Sequence, residues 1–415
     1  MSQGGLVLAC VRAFVDTRAP STSDPGTVLP LNPRVYLDHN ASAPLRAPAR
    51  EAMVAWIETV AGNPSSVHAE GRASRAGLER ARREIARLVG GGAGDLVFTG
   101  SATEANNLAL KGAATGPGAL ERSKLFTTTA SHPSALEPLR WLDERLPGIT
   151  AEALPVDAQG RVCRDALGSA LDGQTLLLSV IAANNETGVL ESIEDLAALV
   201  HEAGAWLHVD ASQCLGRVEV DVEAWGADMV TLSGHKVGGP RGVGALWLRP
   251  GVRLAPMAHG GHQERNRRGG TENVLAAIGF AEAASEAADG LDSEAPRQRR
   301  LVEMLWSAIE RDVPGAARVV ADAHTLCNTL LTAYPGAEGE TLLMGLDLEG
   351  VAASSGSACT AGSLEPSHVL LAMGVAHELA ASTLRFSVGP ETTEEDIERV
   401  SVLLPLVVSR ARGEA

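Results

Sequence analysis

Lysine is the scarcest charged residue in this chain, with three copies among 415 residues: Lys111, Lys124 and Lys236. The hydrophobic pattern predicts Lys111 on a helix face and Lys124 just before a strand, where water would surround both amines. Lys236 instead follows an apolar run and has glycines nearby in SGHKVGGPRG (233–242). Burial there would lower the pKa of the amine and favour Schiff-base chemistry. Taken alone, a turn lysine is the simpler interpretation.

Long apolar runs are absent, which argues against a membrane span, because crossing a bilayer takes about 20 apolar residues in succession. Acidic side chains outnumber basic ones, 51 to 35, and the net charge of −16 argues against binding to nucleic acid. The apolar residues 5–14 include Arg12 and follow no basic residue, so an export signal is not expected. We therefore expect a cytoplasmic protein.

The cysteines form no Cys-x-x-Cys pair, which fits a reducing compartment better than a disulfide framework. Cys10, Cys163, Cys214 and Cys327 are scattered along the chain. Cys359 lies in SSGSACTAG (354–362), among small and polar residues that could not anchor a core. Free cysteines usually lie buried in cores. The sequence therefore predicts a thiol on a loop, and it raises the question of what that thiol does.

Apolar runs alternate with amphipathic stretches from Tyr36 onward. This alternation predicts an α/β fold whose central sheet is mostly parallel and is covered by helices on both faces. The predicted strands are residues 95–98, 125–129, 175–182, 206–210, 227–233 and 242–248.

Three regions are predicted along the chain. Residues 1–33 are expected to form a disordered N-terminal extension, because residues 17–33 are rich in proline, serine and threonine. A large domain is predicted at 34–289 and a smaller C-terminal domain at 290–415. The polar residues 289–296 are predicted to form a turn between them.

Polar residues follow five of the predicted strands, in TGSATE, ASHPS, ANNETG, DASQ and SGHK. In doubly wound sheets, ligands bind beyond the carboxyl ends of the strands. Five polar turns in such places are more than loop composition explains. We therefore expect these segments to meet in one functional site.

Two of these turns offer partners for a charged cofactor. Asp210 ends an apolar strand, where a lone carboxylate is costly unless it meets a cation such as a protonated pyridine nitrogen. The alternative is that Asp210 caps the next helix. Ser101 and Thr103 open a helix whose N–H groups and hydroxyls would hold a phosphate. Ser101 and Glu104 also have the spacing of a capping box, and the two roles are compatible.

Three further candidates are weaker as isolated residues. His132 follows a strand and could stack on an aromatic cofactor and carry protons, or it could be structural. Arg385, in STLRFSVG, could grip a substrate carboxylate, with a surface ion pair as the alternative. His259 and His262 resemble a metal pair, but no third ligand stands at the required spacing, so no metal site is expected.

Taken together, these segments resemble the cysteine desulfurases, which are pyridoxal-phosphate enzymes of the class V aminotransferase group with the type I fold. The resemblance runs from YLDHNASAPL (36–45) to TLRFSVGPETTEEDIERV (383–400). The matching motifs occur in order along the chain: GNPSSVHAEGR, TGSATEANN, NNETG, HVDASQ, SGHKVGGPRGVGAL, GGHQERNRRGGTEN and SSGSACTAGSLEPSHVL. The cysteine loop distinguishes desulfurases from other class V enzymes.

The resemblance implies a role for each motif residue. Residues 34–289 would bind pyridoxal 5'-phosphate, residues 34–48 would pack with the small domain, and the small α+β domain would carry the catalytic Cys359. The implied cofactor contacts are Lys236 as the Schiff-base lysine, Asp210 on the pyridine nitrogen, Asn185 and Gln213 on the ring oxygen, His132 stacked over the ring, and Ala102, Thr103, Ser233, His235 and Thr271 on the phosphate, Thr271 from a partner subunit. Asn40, Asn185 and Arg385 would bind the substrate.

The resemblance also implies the reaction. Cys359 would take the sulfur of L-cysteine as a persulfide, releasing alanine, and pass it to an acceptor such as an iron–sulfur scaffold protein. A homodimer is implied. The alternatives are a selenocysteine lyase or another class V lyase on the same frame and, further off, a sulfur-relay module without enzymatic activity.

Overall fold

The computed structural model describes residues 34–320, 324–355 and 365–414, so the predicted extension 1–33 and Cys359 lie outside the described residues. The strands in the described part are β1 (Val35–Tyr36), β2 (Leu96–Thr99), β3 (Lys124–Thr128), β4 (Thr150–Leu154), β5 (Thr175–Ile181), β6 (Trp206–Asp210), β7 (Met229–Ser233), β8 (Gly244–Leu248), β9 (Ala317–Arg318), β10 (Thr329–Ala333), β11 (Val351–Ala352) and β12 (Thr383–Ser387).

Helices account for most of the remaining secondary structure. Over the described ranges they are α1 (Ala47–Thr59), α2 (Ala69–Leu88), α3 (Ala102–Thr115), α4 (Pro133–Arg145), α5 (Arg164–Ala170), α6 (Ile193–Glu202), α7 (Val274–Asp289), α8 (Leu291–Asp312), α9 (Gly339–Leu348), α10 (His368–Ala372), α11 (His377–Ala381) and α12 (Glu394–Ala411). None of these helices combines the length and the apolar character needed to span a membrane.

The central sheet has seven strands in the order β2-β8-β7-β6-β5-β3-β4. Neighbouring strands from β7 to β4 run parallel, whereas β8 is antiparallel to both β7 and β2. The carboxyl ends of β2, β3, β5, β6 and β7 therefore lie along one edge. The predicted mostly parallel sheet is confirmed, and this edge brings the five polar turns together.

Helices cover both faces of this sheet, because its inner strands are apolar on both sides. Every residue of β2, β7 and β8 is buried. One core cluster joins the sheet to α2, α6 and α7 through residues such as Ile85, Leu196 and Phe280. A second cluster includes Leu110 and Leu139, from α3 and α4, on the strands. These two layers fix where each strand ends, and so they fix the edge that carries the turns.

A smaller antiparallel sheet of order β12-β10-β9 forms in the C-terminal part. Its own core cluster combines α8, α9 and α12 with Val35 and Leu37 from the start of the described chain. β1 pairs in parallel with β11, with Val35 opposite Val351. The division at 289 and 290 stays a prediction.

The turn predicted at residues 289–296 is confined to Gly290, and residues 291–296 are helical. α7 ends at Asp289, and α8 begins at Leu291 after the single residue Gly290. The Gly290 carbonyl accepts hydrogen bonds from Ser293 and Glu294 N–H. The polar composition that indicated a turn instead places acidic side chains in the first turn of α8, where they complement the helix dipole.

Candidate functional site

A cavity of about 310 Å³ opens at the edge of the sheet where β2, β3, β5, β6 and β7 end. Twelve predicted site residues line it: Asn40, Ser101, Ala102, Thr103, His132, Asn185, Asp210, Gln213, Ser233, His235, Lys236 and Arg385. Thr271 is exposed and is not among the lining residues, and Cys359 lies outside the described residues. Segments more than 300 residues apart in the chain thus meet in one place, although the roles assigned to them stay predictions.

One end of the cavity is the start of α3. Ser101 caps this helix, because its Oγ accepts the Glu104 N–H at 3.1 Å. Glu104 Oε2 accepts the Gly100 N–H rather than that of Ser101, so the predicted capping box is only half formed. Gly244 of β8 packs so closely here that a Cβ would lie 2.5 Å from the Ser101 carbonyl carbon, which explains the glycine.

Ser233 ends β7 beside this helix start. Its side chain is buried, and its Oγ has no hydrogen-bond partner among the described residues. Leaving a buried hydroxyl unsatisfied costs about 1–3 kcal/mol. Such a group in a cavity lining is most simply explained by a ligand that accepts its hydrogen bond.

Asp210 is the one carboxylate among the described lining residues, and it is almost fully buried. Its Oδ1 accepts the backbone N–H of Ser212 at 3.0 Å and the Ser212 hydroxyl at 2.5 Å. Its Oδ2 accepts a hydrogen bond of 2.7 Å from Asn106 Nδ2. These three donors hold the carboxylate in place at the end of β6.

His132 caps α4 from the rim of the cavity. Its Nδ1 accepts the Ser134 N–H at 3.1 Å and lies 2.8 Å from Ser134 Oγ. The proton of the neutral ring is therefore on Nε2. Burial lowers the pKa of His132 below its ordinary value; the Asp210 carboxylate opposes this, and the positive charge of Lys236 adds to it. The ring is thus mainly neutral at pH 7 and can accept a proton.

Lys236 follows β7 by three residues, in a turn that brings its side chain to the cavity. Its Nζ donates to the Asn40 carbonyl and, at 3.0 Å, to the Ala41 carbonyl. The neighbouring His235 has its Nδ1 3.3 Å from Ser42 Oγ. Burial lowers the pKa of His235 to about 4, and Lys236 contributes to this shift. His235 is therefore neutral at physiological pH.

Arg385 lies on β12 and is only 1% exposed, so the surface ion pair considered from the sequence is not what forms. Its Nη2 donates to Asp38 Oδ1 at 2.6 Å, and its Nη1 donates to the Asn185 carbonyl at 2.9 Å. Nε is buried without a partner among the described residues. A buried guanidinium with an unused N–H is suited to an anionic ligand such as a carboxylate.

Asn40 and Gln213 are held by protein contacts on both sides of their amides. Asn40 Nδ2 donates to Thr329 Oγ1 and to the Asn185 carbonyl, and its Oδ1 accepts from Asn328. Gln213 Nε2 donates to the Asn40 carbonyl at 2.9 Å. Both side chains are buried. They are therefore rigid parts of the cavity wall.

The described chain on both sides of residues 356–364 is tied to the cavity. Ser354 and Arg385 exchange two backbone hydrogen bonds, of 3.1 and 2.7 Å. On the other side, Ser367 Oγ donates to the buried Glu186, and His368 Nε2 lies 3.0 Å from the Ser131 carbonyl. Both ends of the segment that includes Cys359 therefore start beside the cavity.

Sequence reasoning missed Asn106, which lies in the SATEANN motif but was not assigned a role. Its position in the second turn of the helix gave no sign of a contact with Asp210. Ser134 and Ser212 also line the cavity. Both are small polar residues, Ser134 in the ASHPS turn and Ser212 in the DASQ turn. Of His259 and His262, the two histidines that resemble a metal pair in the sequence, His262 has its Nδ1 2.6 Å from Asn266 Oδ1.

Residues 35–400 match the family model described as aminotransferase class-V. The chain is 42% identical over 383 residues to a cysteine desulfurase of Cereibacter sphaeroides. The aligned region covers 92% of this chain and 97% of that protein. It is 39% identical over 378 residues to the cysteine desulfurase IscS of Dictyoglomus turgidum, at 91% and 95% coverage.

The chain belongs to the cysteine desulfurase family.

Solved structures of similar proteins agree with this family assignment. A NifS-like protein superposes with a TM-score of 0.85 at 32% identity, covering 91% of this chain and all of that one. A structure described as SspA in complex with cysteine gives a TM-score of 0.75 at 31% identity, covering 86% of this chain and all of that one. The predicted family and α/β fold are both confirmed.

Proposed function

We propose that this chain, as a cysteine desulfurase, removes sulfur from L-cysteine with pyridoxal 5'-phosphate held in the cavity and with Cys359 as the sulfur acceptor. The observation that carries the proposal is the convergence of Lys236, Asp210, His132 and Arg385 on one cavity. These four side chains supply an amine, a carboxylate, a proton carrier and an anion grip. The four residues come from different segments of the chain, and a shared functional site explains why they meet in one cavity.

The cavity fits the cofactor at both ends. Ser233 Oγ, which has no partner within the described ranges, and the start of α3 suit a phosphate, which accepts hydrogen bonds from hydroxyl and N–H groups. Asp210 lies in the same lining and suits a protonated pyridine nitrogen. Pyridoxal phosphate, when bound, supplies an aldehyde for an amine and an electron-accepting ring. Lys236 is the lysine of the described cavity lining and would hold that aldehyde.

The protein side chains then bind and orient the substrate. Arg385 Nε is available to a carboxylate, and the Asp38 and Asn185 contacts keep the guanidinium in place. His132 is neutral with its proton on Nε2, so it can move a proton to or from the substrate. Burial of these groups keeps water away and strengthens their electrostatic effects.

Cys359 is five residues after Ser354, whose backbone is hydrogen-bonded to that of Arg385. Five residues of extended chain span at most roughly 17 Å, which limits the distance from Cys359 to Ser354. The Cys359 thiolate attacks the sulfur of bound cysteine and forms an S–S bond. The carbon–sulfur bond breaks, its electron pair goes to carbon, and a proton there completes alanine. The persulfide on Cys359 is then passed to an acceptor.

Homodimerisation is part of the proposal. Thr271 is exposed in the loop before α7, where it is available to the phosphate end of a second copy's cavity. The acceptor of the sulfur is proposed to be a protein such as an iron–sulfur scaffold. Sedimentation equilibrium of the purified chain tests the dimer, and a monomer at micromolar concentration would contradict it.

Alanine release separates the proposal from the lyase alternative. The wild-type chain and Cys359→Ser, both saturated with pyridoxal phosphate, are given L-cysteine or L-selenocysteine. We expect Cys359→Ser to lose alanine release from L-cysteine, with an unchanged cofactor absorbance as the control for a correctly built site. Equal alanine release by both proteins, or activity confined to L-selenocysteine, would favour the lyase.

A further inference from the structure

Arg217 is a buried cation directly behind the cavity. It is 8% exposed, and within the described part of the chain its guanidinium makes four hydrogen bonds, all to uncharged oxygens. Nη2 donates to the His39 and Lys236 carbonyls at 3.2 Å each, and Nη1 donates to the Gln213 carbonyl at 3.1 Å and to Gln213 Oε1. A buried charge without a carboxylate in contact is costly, so its presence needs an explanation.

A chain of hydrogen bonds leads from Arg217 to the amine of Lys236. A guanidinium can only donate, so its contact forces Gln213 to present Oε1 to Arg217. The Nε2 of Gln213 is then left to donate to the Asn40 carbonyl, at 2.9 Å. The same carbonyl accepts from Lys236 Nζ. Arg217 therefore sets the orientation of the Gln213 amide in the cavity wall.

We propose that Arg217 is a positioning residue for Lys236: it fixes the Lys236 backbone and the Gln213 amide from behind the cavity, and its positive charge makes the Lys236 amine easier to deprotonate. The inference deepens the proposed function and rests on it for the role of Lys236. It assigns a task to a residue outside the cavity lining that none of the sequence motifs indicated.

The charges around Lys236 act in both directions. An opposite charge such as that of Asp210 favours the protonated amine, and like charges such as those of Arg385 and Arg46 disfavour it. The titratable or charged groups around the amine and Arg217 are His132 at the cap of α4, Asp210 on β6, Arg385 on β12, His39, Arg46, His235, Glu391, and Cys214 and Cys327 in the core. Among these groups, Arg217 is the buried cation whose guanidinium contacts the Lys236 backbone.

The charge of Arg217 persists at neutral pH. Burial lowers its pKa to about 10, which still leaves the guanidinium protonated. Its effect reaches neighbouring groups: after burial, Arg217 is the largest contribution lowering the pKa of His39, which falls to about 4. A like charge acts on an amine in the same direction, since it disfavours the protonated form.

The test is the pH dependence of amine labelling in the full-length chain. Because the protein has three lysines, trinitrobenzenesulfonate labelling can be followed at each one by peptide mass spectrometry, with Lys111 and Lys124 as internal references. We expect Arg217→Gln and Arg217→Met to raise the labelling midpoint of Lys236 by about one pH unit, a tenfold change in proton affinity. Arg217→Lys keeps the charge and should keep the wild-type midpoint.

The outcomes separate this inference from the proposed function. Two uncharged variants are used so that one that fails to fold leaves the other, and circular dichroism checks the fold. A Lys236 midpoint unchanged in the folded uncharged variant, or raised equally in Arg217→Lys, would overturn the proposal. Neither cysteine nor Cys359 takes part in the labelling, so the result is independent of desulfurase activity. In the cofactor-loaded protein, the pH midpoint of the cofactor absorbance should likewise be higher in Arg217→Gln and Arg217→Met than in wild type, and unchanged in Arg217→Lys.

Discussion

Asn106 Nδ2 donates one hydrogen bond of 2.7 Å to Asp210 Oδ2 and a second of 2.8 Å to Ser134 Oγ. Ser134 Oγ in turn lies 2.8 Å from His132 Nδ1. One amide on α3 therefore links the carboxylate proposed for the ring nitrogen to the histidine proposed for proton transfer. This network holds the Asp210 and His132 side chains at fixed positions in the cavity. The contribution of each to turnover can therefore be measured separately from its effect on folding.

Asp210→Asn is expected to lower desulfurase turnover by roughly 10²–10³-fold, as for the loss of one preorganised electrostatic partner in an active site. The amide retains the shape but cannot balance a protonated ring nitrogen. Asp228→Asn is the matched control, because Asp228 is equally buried but contacts His201 and Arg249 away from the cavity. Turnover per folded molecule should fall only in Asp210→Asn. A similar loss in both variants would argue against the assigned role.

Ser233→Ala is expected to affect the cofactor-free and cofactor-bound proteins in opposite directions. Removing a buried hydroxyl that has no partner in the described part of the chain should leave the cofactor-free protein as stable as wild type or more stable. The same change removes a donor to the phosphate and should weaken cofactor binding by roughly tenfold. Thermal unfolding measured without cofactor, together with a cofactor titration, checks both parts. Unchanged cofactor affinity would place the phosphate elsewhere.

His208 predicts a loss of stability in mild acid. It is fully buried between Ser179 and Thr231, and burial lowers its pKa to about 4, whereas in the unfolded chain it takes a proton near pH 6.5. The unfolded state thus binds more protons between these values, so this contribution to stability is complete above about pH 6.5 and is lost as the pH falls toward 4.

His208→Gln should therefore reduce the acid sensitivity of the fold. Between about pH 7.5 and pH 5, its free energy of unfolding should fall by on the order of 2 kcal/mol less than that of wild type. Urea unfolding at the two pH values gives the difference. His377→Gln, which changes an exposed histidine, serves as the control. An identical fall in His208→Gln and wild type would show that His208 does not contribute.

The ion pair between Arg82 and Glu264 fixes the loop that carries Thr271. Arg82 and Glu264 make two hydrogen bonds, of 2.6 and 2.7 Å, and both side chains are buried. Arg82→Met leaves a buried carboxylate without its partner and should cost about 3–5 kcal/mol. Adding Glu264→Met should recover part of that loss. Arg87 pairs with Glu84 at the same 2.6 Å but in water, so Arg87→Met should barely change urea unfolding. Equal losses in Arg82→Met and Arg87→Met would contradict this account.

The sequence predicted most of the cavity because its residues end apolar strands. Asp210, Lys236 and His132 all follow buried runs, and parallel strands bring such ends to one edge. Strand boundaries were close as well: the run predicted at 206–210 is β6, and that at 175–182 is β5, which ends at Ile181.

Several features depend on contacts that no local pattern encodes. β4 lies at the edge of the large sheet with alternating exposure, and β9 and β10 of the small sheet were not predicted. The burial of Arg385 depends on Asp38, 347 residues away. Arg217 binds carbonyls of segments that are distant in sequence. Packing between remote segments decides these features, and a single-sequence pattern carries no record of it.

The most direct test is mass spectrometry of Cys359 after the cofactor-loaded enzyme has reacted with L-cysteine. Wild-type protein should gain one sulfur atom on Cys359, and Lys236→Ala should gain none, because the amine that would hold the cofactor aldehyde is missing. Cys163, Cys214 and Cys327 in the same digest are the internal controls. Wild-type protein that releases alanine while Cys359 stays unmodified, or Lys236→Ala that acquires the same sulfur, would contradict the account.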